Sequence, residues 1–287
     1  MKVRFAVSAG ARPPVADRLH GFVTEAEELG FDAVWFSDLG TLPSTDPLVS
    51  VAMAAAWTER IKLGITIVPF GYQPYVFARQ LAQLDRLSEG RLRVMLVPGL
   101  DQPGERKALG IEGLDRGRLL DELIPVLRTL WSGRPVPDAA DGVPLPALGA
   151  TPAQGHLQIW LAGTGPKAIA RAGRLADGWR GGTRTPAQAA DTIARIQAEA
   201  AAAGRSIDAG HFGMTVAYAR DDGDAHDQHG GPLREEPAAI GRDQLREVIG
   251  RLVDAGMSKF SVRRVTPVTS WHDELTWLAD TLLDLET

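Results

Sequence analysis

The sequence predicts an α/β fold of the TIM-barrel type: a single (β/α)8 barrel over residues 1–287, with surface excursions after its fourth and seventh strands. Three observations carry this expectation. Short apolar runs alternate with longer segments of helical period from one end to the other, a pattern that requires a mostly parallel sheet covered by helices. The alternation repeats eight times in 287 residues, close to the roughly 250 residues typical of a closed barrel. The turn after the first strand, Ser8-Ala9-Gly10-Ala11-Arg12-Pro13, lacks the G-x-G-x-x-G spacing of an open dinucleotide-binding sheet.

Taken in order, Arg4–Ser8 reads as the first strand and Val15–Leu29 as the helix that follows, with Leu19, Phe22, Val23, Ala26 and Leu29 on one face and Gly30 as its stop. Asp32–Ser37 is the second strand. Asp46 caps the next helix, which has Pro47 in its first turn and runs to about Trp57. Lys62–Ile67, the helix Pro74–Leu87 and the strand Arg93–Val97 continue the alternation, followed by a long helix over Leu114–Trp131. Ser132–His156, rich in proline and glycine, is read as an excursion over the surface because the alternation resumes after it. Leu157–Ala162 and Asp177–Arg180 are the fifth and sixth strands, with helices over Pro166–Leu175 and Pro186–Ala203. His211–Tyr218 is the seventh strand, and the acidic, glycine-rich Asp221–Gly241 is expected to be a mobile loop. The helix Asp243–Ala255, the strand Lys259–Val265 and the helix Trp271–Leu285 complete the series.

Composition removes several classes of function. The chain has no cysteine, which excludes a disulfide framework, a thiolate metal site and a cysteine nucleophile, and is compatible with a cytoplasmic location. The first residues run directly into a strand without a signal-peptide pattern, and no apolar run approaches a membrane span. A net charge of −5 without a long basic run makes nucleic acid a poor partner.

In such barrels chemistry sits at the C-terminal ends of the strands. That rule selects Ser8, Asp38, Thr66, Asp101, Gly163–Gly165, Arg180–Thr183, Arg220, Arg263 and Arg264. Two turns have the composition of phosphate cradles. Ala162-Gly163-Thr164-Gly165-Pro166 opens a helix, and Gly181-Gly182-Thr183-Arg184-Thr185-Pro186 opens the next. Either turn alone reads as a tight connection; two on neighbouring strands favour an anionic ligand. Asp38 also reads as a turn cap, Asp101 and Glu105 as a solvated acidic loop, and Trp35, Trp160 and Trp179 as core. No lysine falls at a strand end, which argues against a Schiff-base aldolase. No histidine–carboxylate cluster marks the strand ends, which argues against a metal-dependent hydrolase, and His226 and His229 match no standard metal spacing.

Four stretches carry a family resemblance: Ala26–Asp38, Leu63–Pro69, Pro74–Leu96, and Ile159–Pro166 together with Arg174–Trp179. The block Leu84-Asp85-Arg86-Leu87-Ser88-Glu89-Gly90-Arg91 is the most specific, and Glu105–Gly110 and Leu127–Gly133 add to it. On these residues the chain resembles the bacterial luciferase-like family of flavin- and F420-dependent oxidoreductases. The resemblance implies a barrel that holds F420, with FMN as the alternative, and passes hydride between the ring and a small-molecule substrate. It places Asp38 near the ring, a non-proline cis peptide at Thr66–Ile67 behind the ring, and the cofactor phosphate on Gly163, Thr164 and Gly165. Asp101 then falls at the position of a catalytic acid, with Glu105 second, and Ser8 and Leu39 face the substrate. Many F420-using members have histidine where this chain has Leu39, so either another group moves the proton or the chemistry differs. An FMN-dependent monooxygenase and a barrel that binds flavin without turnover are the competing expectations. Relatives commonly pair as dimers, and the apolar helix Pro47–Trp57 is the candidate interface.

Overall fold

A computed structural model describes residues 2–8, 16–38, 45–100, 102–137, 143–182, 185–221 and 238–287. Its sheet contains nine strands, all paired in parallel: β1 (Arg4–Ser8), β2 (Ala33–Ser37), β3 (Lys62–Ile67), β4 (Leu92–Leu96), β5 (Ile159–Leu161), β6 (Gly178–Gly181), β7 (Phe212–Ala219), β8 (Ala239–Ile240) and β9 (Lys259–Arg264). The order β6-β5-β4-β3-β2-β1-β9-β7 is closed by pairing of β6 with β7, which makes the eight-stranded barrel; the two-residue β8 lies against the far end of β7. Around it stand α1 (Ala16–Leu29), α2 (Pro47–Trp57), α3 (Pro74–Leu87), α4 (Pro103–Ala108), α5 (Arg116–Trp131), α6 (Pro166–Leu175), α7 (Pro186–Ala202), α8 (Gly241–Asp254) and α9 (Trp271–Leu282).

The helices begin and end for local reasons. The Asp46 carboxylate accepts from the N–H groups of Leu48 and Val49 and caps α2, and the Gln73 side chain does the same for α3 through Val76 N. Gly30, at φ +96°, ends α1: Phe31 N–H returns to the Ala26 carbonyl and Gly30 N–H to that of Glu27. Two elements depart from the sequence-based expectation. The six-residue α4 occupies part of what reads as a loop, and β8 is a strand too short to show a period. The excursion after β7 falls largely on residues 222–237, outside those described, as do His226 and His229.

The two faces of the barrel wall differ in chemistry. Outward-facing residues such as Phe5, Val34, Ile65, Val94 and Phe260 pack under the helices as one large apolar core. The interior is narrower and is filled by Ala6, Ala33, Trp35, Met95 and Trp160. Two tryptophans find room there because their partners on the next strand are glycines. Trp35 pairs with Gly64 and Trp160 with Gly178, and a Cβ on either glycine would come within 2.2 or 2.5 Å of the indole. Trp35 and Trp160 are core residues, as the sequence suggested.

Candidate functional site

Because every barrel strand is parallel, closure gathers their C-terminal ends on one rim. Ser8, Asp38, Thr66, Gly163 and Gly181 thereby come from five strands to a single mouth. Leu39, Asp101 and Thr183 belong to the same set of expectations but lie outside the described residues.

The turn after β5 is shaped as a cradle. Gly163 has φ +100°, and a Cβ there would lie 2.9 Å from Ala168 Cβ, so glycine is required. Its carbonyl accepts from Trp179 Nε1 at 3.0 Å, which fixes the peptide from behind. Ala162 precedes it at the end of β5, and Thr164 lies between the two glycines. Gly165 is the N-cap of α6, and nothing lies within 4 Å of where its Cβ would be. Pro166 starts the helix, and no side chain caps it. The first N–H groups of a helix seek an acceptor, and the helix dipole favours an anion at that end.

At the second expected cradle, after β6, residues 183 and 184 lie outside those described, and the helix start carries its own side-chain cap. Thr185 and Gln188 form a reciprocal capping box at the start of α7: Gln188 N–H donates to Thr185 Oγ1 at 3.1 Å, and Thr185 N–H donates to Gln188 Oε1 at 3.0 Å. Gly181 has a packing role, since a Cβ there would meet the Trp179 ring at 2.3 Å; Gly182 faces open space. Of the two turns, the one leading into α6 has no side-chain cap at its helix start.

The structure corrects the reading of Thr66 and Ile67. Among the described residues there is no cis peptide, so the expected cis bond between them is not found. The strand stays paired through this point: Asp38 N–H donates to the Thr66 carbonyl at 2.7 Å and Val97 N–H to that of Ile67 at 3.0 Å. Ile67 is fully buried in the outer core, so its side chain is directed away from the interior. Thr66 does face inward, and its hydroxyl accepts from Arg180 Nη2 at 3.0 Å. The Arg180 guanidinium in turn lies 3.7 Å from the centre of the Trp35 ring, and burial lowers its pKa to about 9, still protonated at neutral pH.

Acid–base candidates surround the same mouth. Glu105, in the first turn of α4, is only 4% exposed, and its carboxylate packs against Gly99, where a Cβ would approach it to 3.0 Å. Arg116 holds that turn by donating to the carbonyls of Pro98 and Gly99. Tyr72, in the loop after β3, was not singled out by sequence. Its half-buried phenol is pushed up to about 12 by burial and by the negative charges of Asp46 and Asp38. The signal was its place in a strand-end loop near two aspartates that come together only in the fold. Arg220 and Arg264 serve another purpose: both pair with the buried Glu274 carboxylate, which also accepts from the Tyr218 hydroxyl. Among the described residues no cluster of histidines and carboxylates could hold a metal, and no helix is long and apolar enough to cross a membrane.

A closed parallel barrel whose C-terminal rim carries, beside β5, a glycine turn leading into a helix without a side-chain cap defines the class: a (β/α)8 protein. Residues 2–260 match the model of the luciferase-like monooxygenase family, and the chain belongs to that family. It is 30% identical over 194 residues to an F420-dependent glucose-6-phosphate dehydrogenase of Microbacterium testaceum, covering 62% of this chain and 56% of that protein. The chain thus spans little more than half the length of that relative. Among solved structures it resembles an F420-dependent secondary alcohol dehydrogenase in complex with an F420–acetone adduct (TM-score 0.83, 19% identity, 100% of both chains). It also resembles the oxygenating constituent of 3,6-diketocamphane monooxygenase of Pseudomonas putida in complex with FMN (TM-score 0.76, 16% identity, 98% of this chain and 96% of that one). At such identities these two structures speak to the fold.

Proposed function

We propose that the protein is an oxidoreductase that binds F420 at the C-terminal mouth of its barrel and acts on a small organic molecule. The single observation that carries the reading is the start of α6. It joins a glycine that cannot be replaced at 163, open space at Gly165 and a helix end without a side-chain cap. These features fit the phosphate of a flavin or deazaflavin, whose ring would then lie across the mouth near Asp38 and Thr66. When bound, such a cofactor supplies hydride transfer.

The chain's own residues would bind, orient and move the proton. Gly163 to Gly165 and α6 hold the anionic end. Asp38 is fixed in place through its N–H bond to the Thr66 carbonyl, and Ser8 and Leu39 would contact the substrate. Asp101 or Glu105 would carry the accompanying proton. Tyr72 stays protonated at neutral pH and offers a second donor beside Asp38. Pairing of two copies through α2, where Val49 is 52% exposed, belongs to the same proposal. Sedimentation of the wild type and of Val49→Glu tests that pairing, with a monomeric variant expected.

The deciding experiment is calorimetric titration of the purified protein with F420 and with FMN. F420 is expected to bind at one site, and Gly165→Asp, which fills the helix start with its own carboxylate, is expected to weaken it at least tenfold. Binding of FMN in preference to F420 would move the reading to flavin chemistry. Failure of both to bind would overturn it.

A further inference from the structure

The opposite end of the barrel, where the strands begin, holds a cavity of about 200 Å³. Its walls carry five cationic side chains, Arg4, Lys62, Arg93, Arg180 and Lys259, and one carboxylate, Asp32. Asp32 takes Lys62 at 2.6 Å and lies 3.7 Å from Arg4, which is also 3.8 Å from Glu286 at the rim. The other three cations have no ion pair among the described residues. Arg93 donates to the Gly90 and Leu92 carbonyls and to Gln154 Oε1, Lys259 to the Lys2 carbonyl, and Arg180 to the Thr66 hydroxyl. Burial, then the neighbouring charges of Lys62 and Arg4, hold the Lys259 ammonium below its ordinary value against the pull of Asp32 and Asp208. Among its lining residues two buried donors have no acceptor among the described residues, Arg180 Nε and Trp160 Nε1, on residues 6% and 8% exposed.

Five cations in a partly buried space face one lining carboxylate, with Glu286 and the Thr287 carbonyl taking only Arg4 at the rim, and beside donors without acceptors this is a costly arrangement that an anion would relieve. A tetrahedral oxyanion accepts from several N–H groups at once, and the guanidinium fork matches it in shape and charge. The volume is several times the roughly 30 Å³ share of one water molecule, enough for such a group with part of its hydration. We propose that this N-terminal mouth binds a phosphate-type oxyanion, as inorganic phosphate or as the phosphate group of a small molecule. It is a second anion site, at the end of the barrel away from α6, and it does not depend on which cofactor the upper mouth takes.

The test is calorimetric titration of the full chain with sodium phosphate, with ionic strength held constant by sodium chloride. Saturable binding is expected, together with a rise in melting temperature that chloride alone does not give. Lys259→Gln and Arg93→Gln should each weaken the binding by about tenfold, as expected for loss of a charged hydrogen bond; either suffices if the other fails to fold. Gly165→Asp blocks the cradle at the other mouth and should leave this site intact. Glucose 6-phosphate and phosphate titrated in parallel separate an organic phosphate from the free ion, since a bulky ester that competes with phosphate identifies the broader ligand. Absence of saturable binding overturns the proposal. So does binding that vanishes in Gly165→Asp and survives in Lys259→Gln.

Discussion

Single side chains in this protein show how much of a family-specific sequence can be structural. The Leu84–Arg91 block, the most specific stretch by resemblance, sits at the bottom of the barrel. Asp85 is fully buried there and accepts from the backbone and side chain of Gln154, tying down the excursion that precedes β5. Arg91 binds Thr58 and the carbonyls of Ala55, Thr58 and Ile61. Glu27 does similar work: its carboxylate accepts from the N–H groups of Glu59, Arg60 and Ile61, and although burial opposes the charge these bonds hold its pKa below the usual 4.5. A carboxylate with a lowered folded pKa contributes stability that is present above its unfolded value and is lost as pH falls through the folded one. Glu27→Gln should therefore cost about 1 kcal/mol at neutral pH, discounted for its exposure, and flatten the acid limb of urea midpoints measured against pH. Gly64→Ala tests the interior. With Trp35 carbon atoms 2.2 Å from the new methyl, a loss of about 1–3 kcal/mol is expected in the same assay.

Among elements, α6 and α7 both open with proline, and of the two only α7, with Thr185 as N-cap in place of glycine, has a capping box. Thr185→Ala should lower stability by about 1 kcal/mol while leaving cofactor affinity unchanged, as read by denaturation and calorimetry. Strands and long helices were legible because period and caps agree at Asp46, Gly30 and Pro166, where each signal acts within a few residues. α4 was not legible, since six residues between Pro98 and Gly113 give too short a period. The turn at Thr66 misled for the opposite reason: a resemblance supplied a bond geometry that the paired backbone here does not adopt. The capping box of α7 was written locally in Thr185-Pro186-Ala187-Gln188, a four-residue signal that the reading of two phosphate cradles passed over.

On the scale of the whole molecule, the barrel has two mouths with different chemistry. One gathers glycines, Asp38 and Tyr72; the other gathers arginine and lysine. The strand-end rule made the first legible and left the second hidden, because Arg4, Arg93 and Lys259 are ordinary strand-start residues until closure brings them together. Arg180 crosses the interior from β6 to Thr66 on β3, two strands that are not neighbours in the sheet. Thr66→Val keeps the shape and removes the acceptor, so urea denaturation should show a loss of about 1–3 kcal/mol. Trp179 joins two regions in a different manner. Its ring is sealed beneath the helices while its N–H grips the Gly163 carbonyl. Any occupant that shifts that peptide alters the indole's surroundings, so the residue works as a built-in gauge. With 5-fluorotryptophan incorporated, one fluorine resonance among those of the seven tryptophans should move when the upper mouth fills, and Trp179→Phe should delete that line.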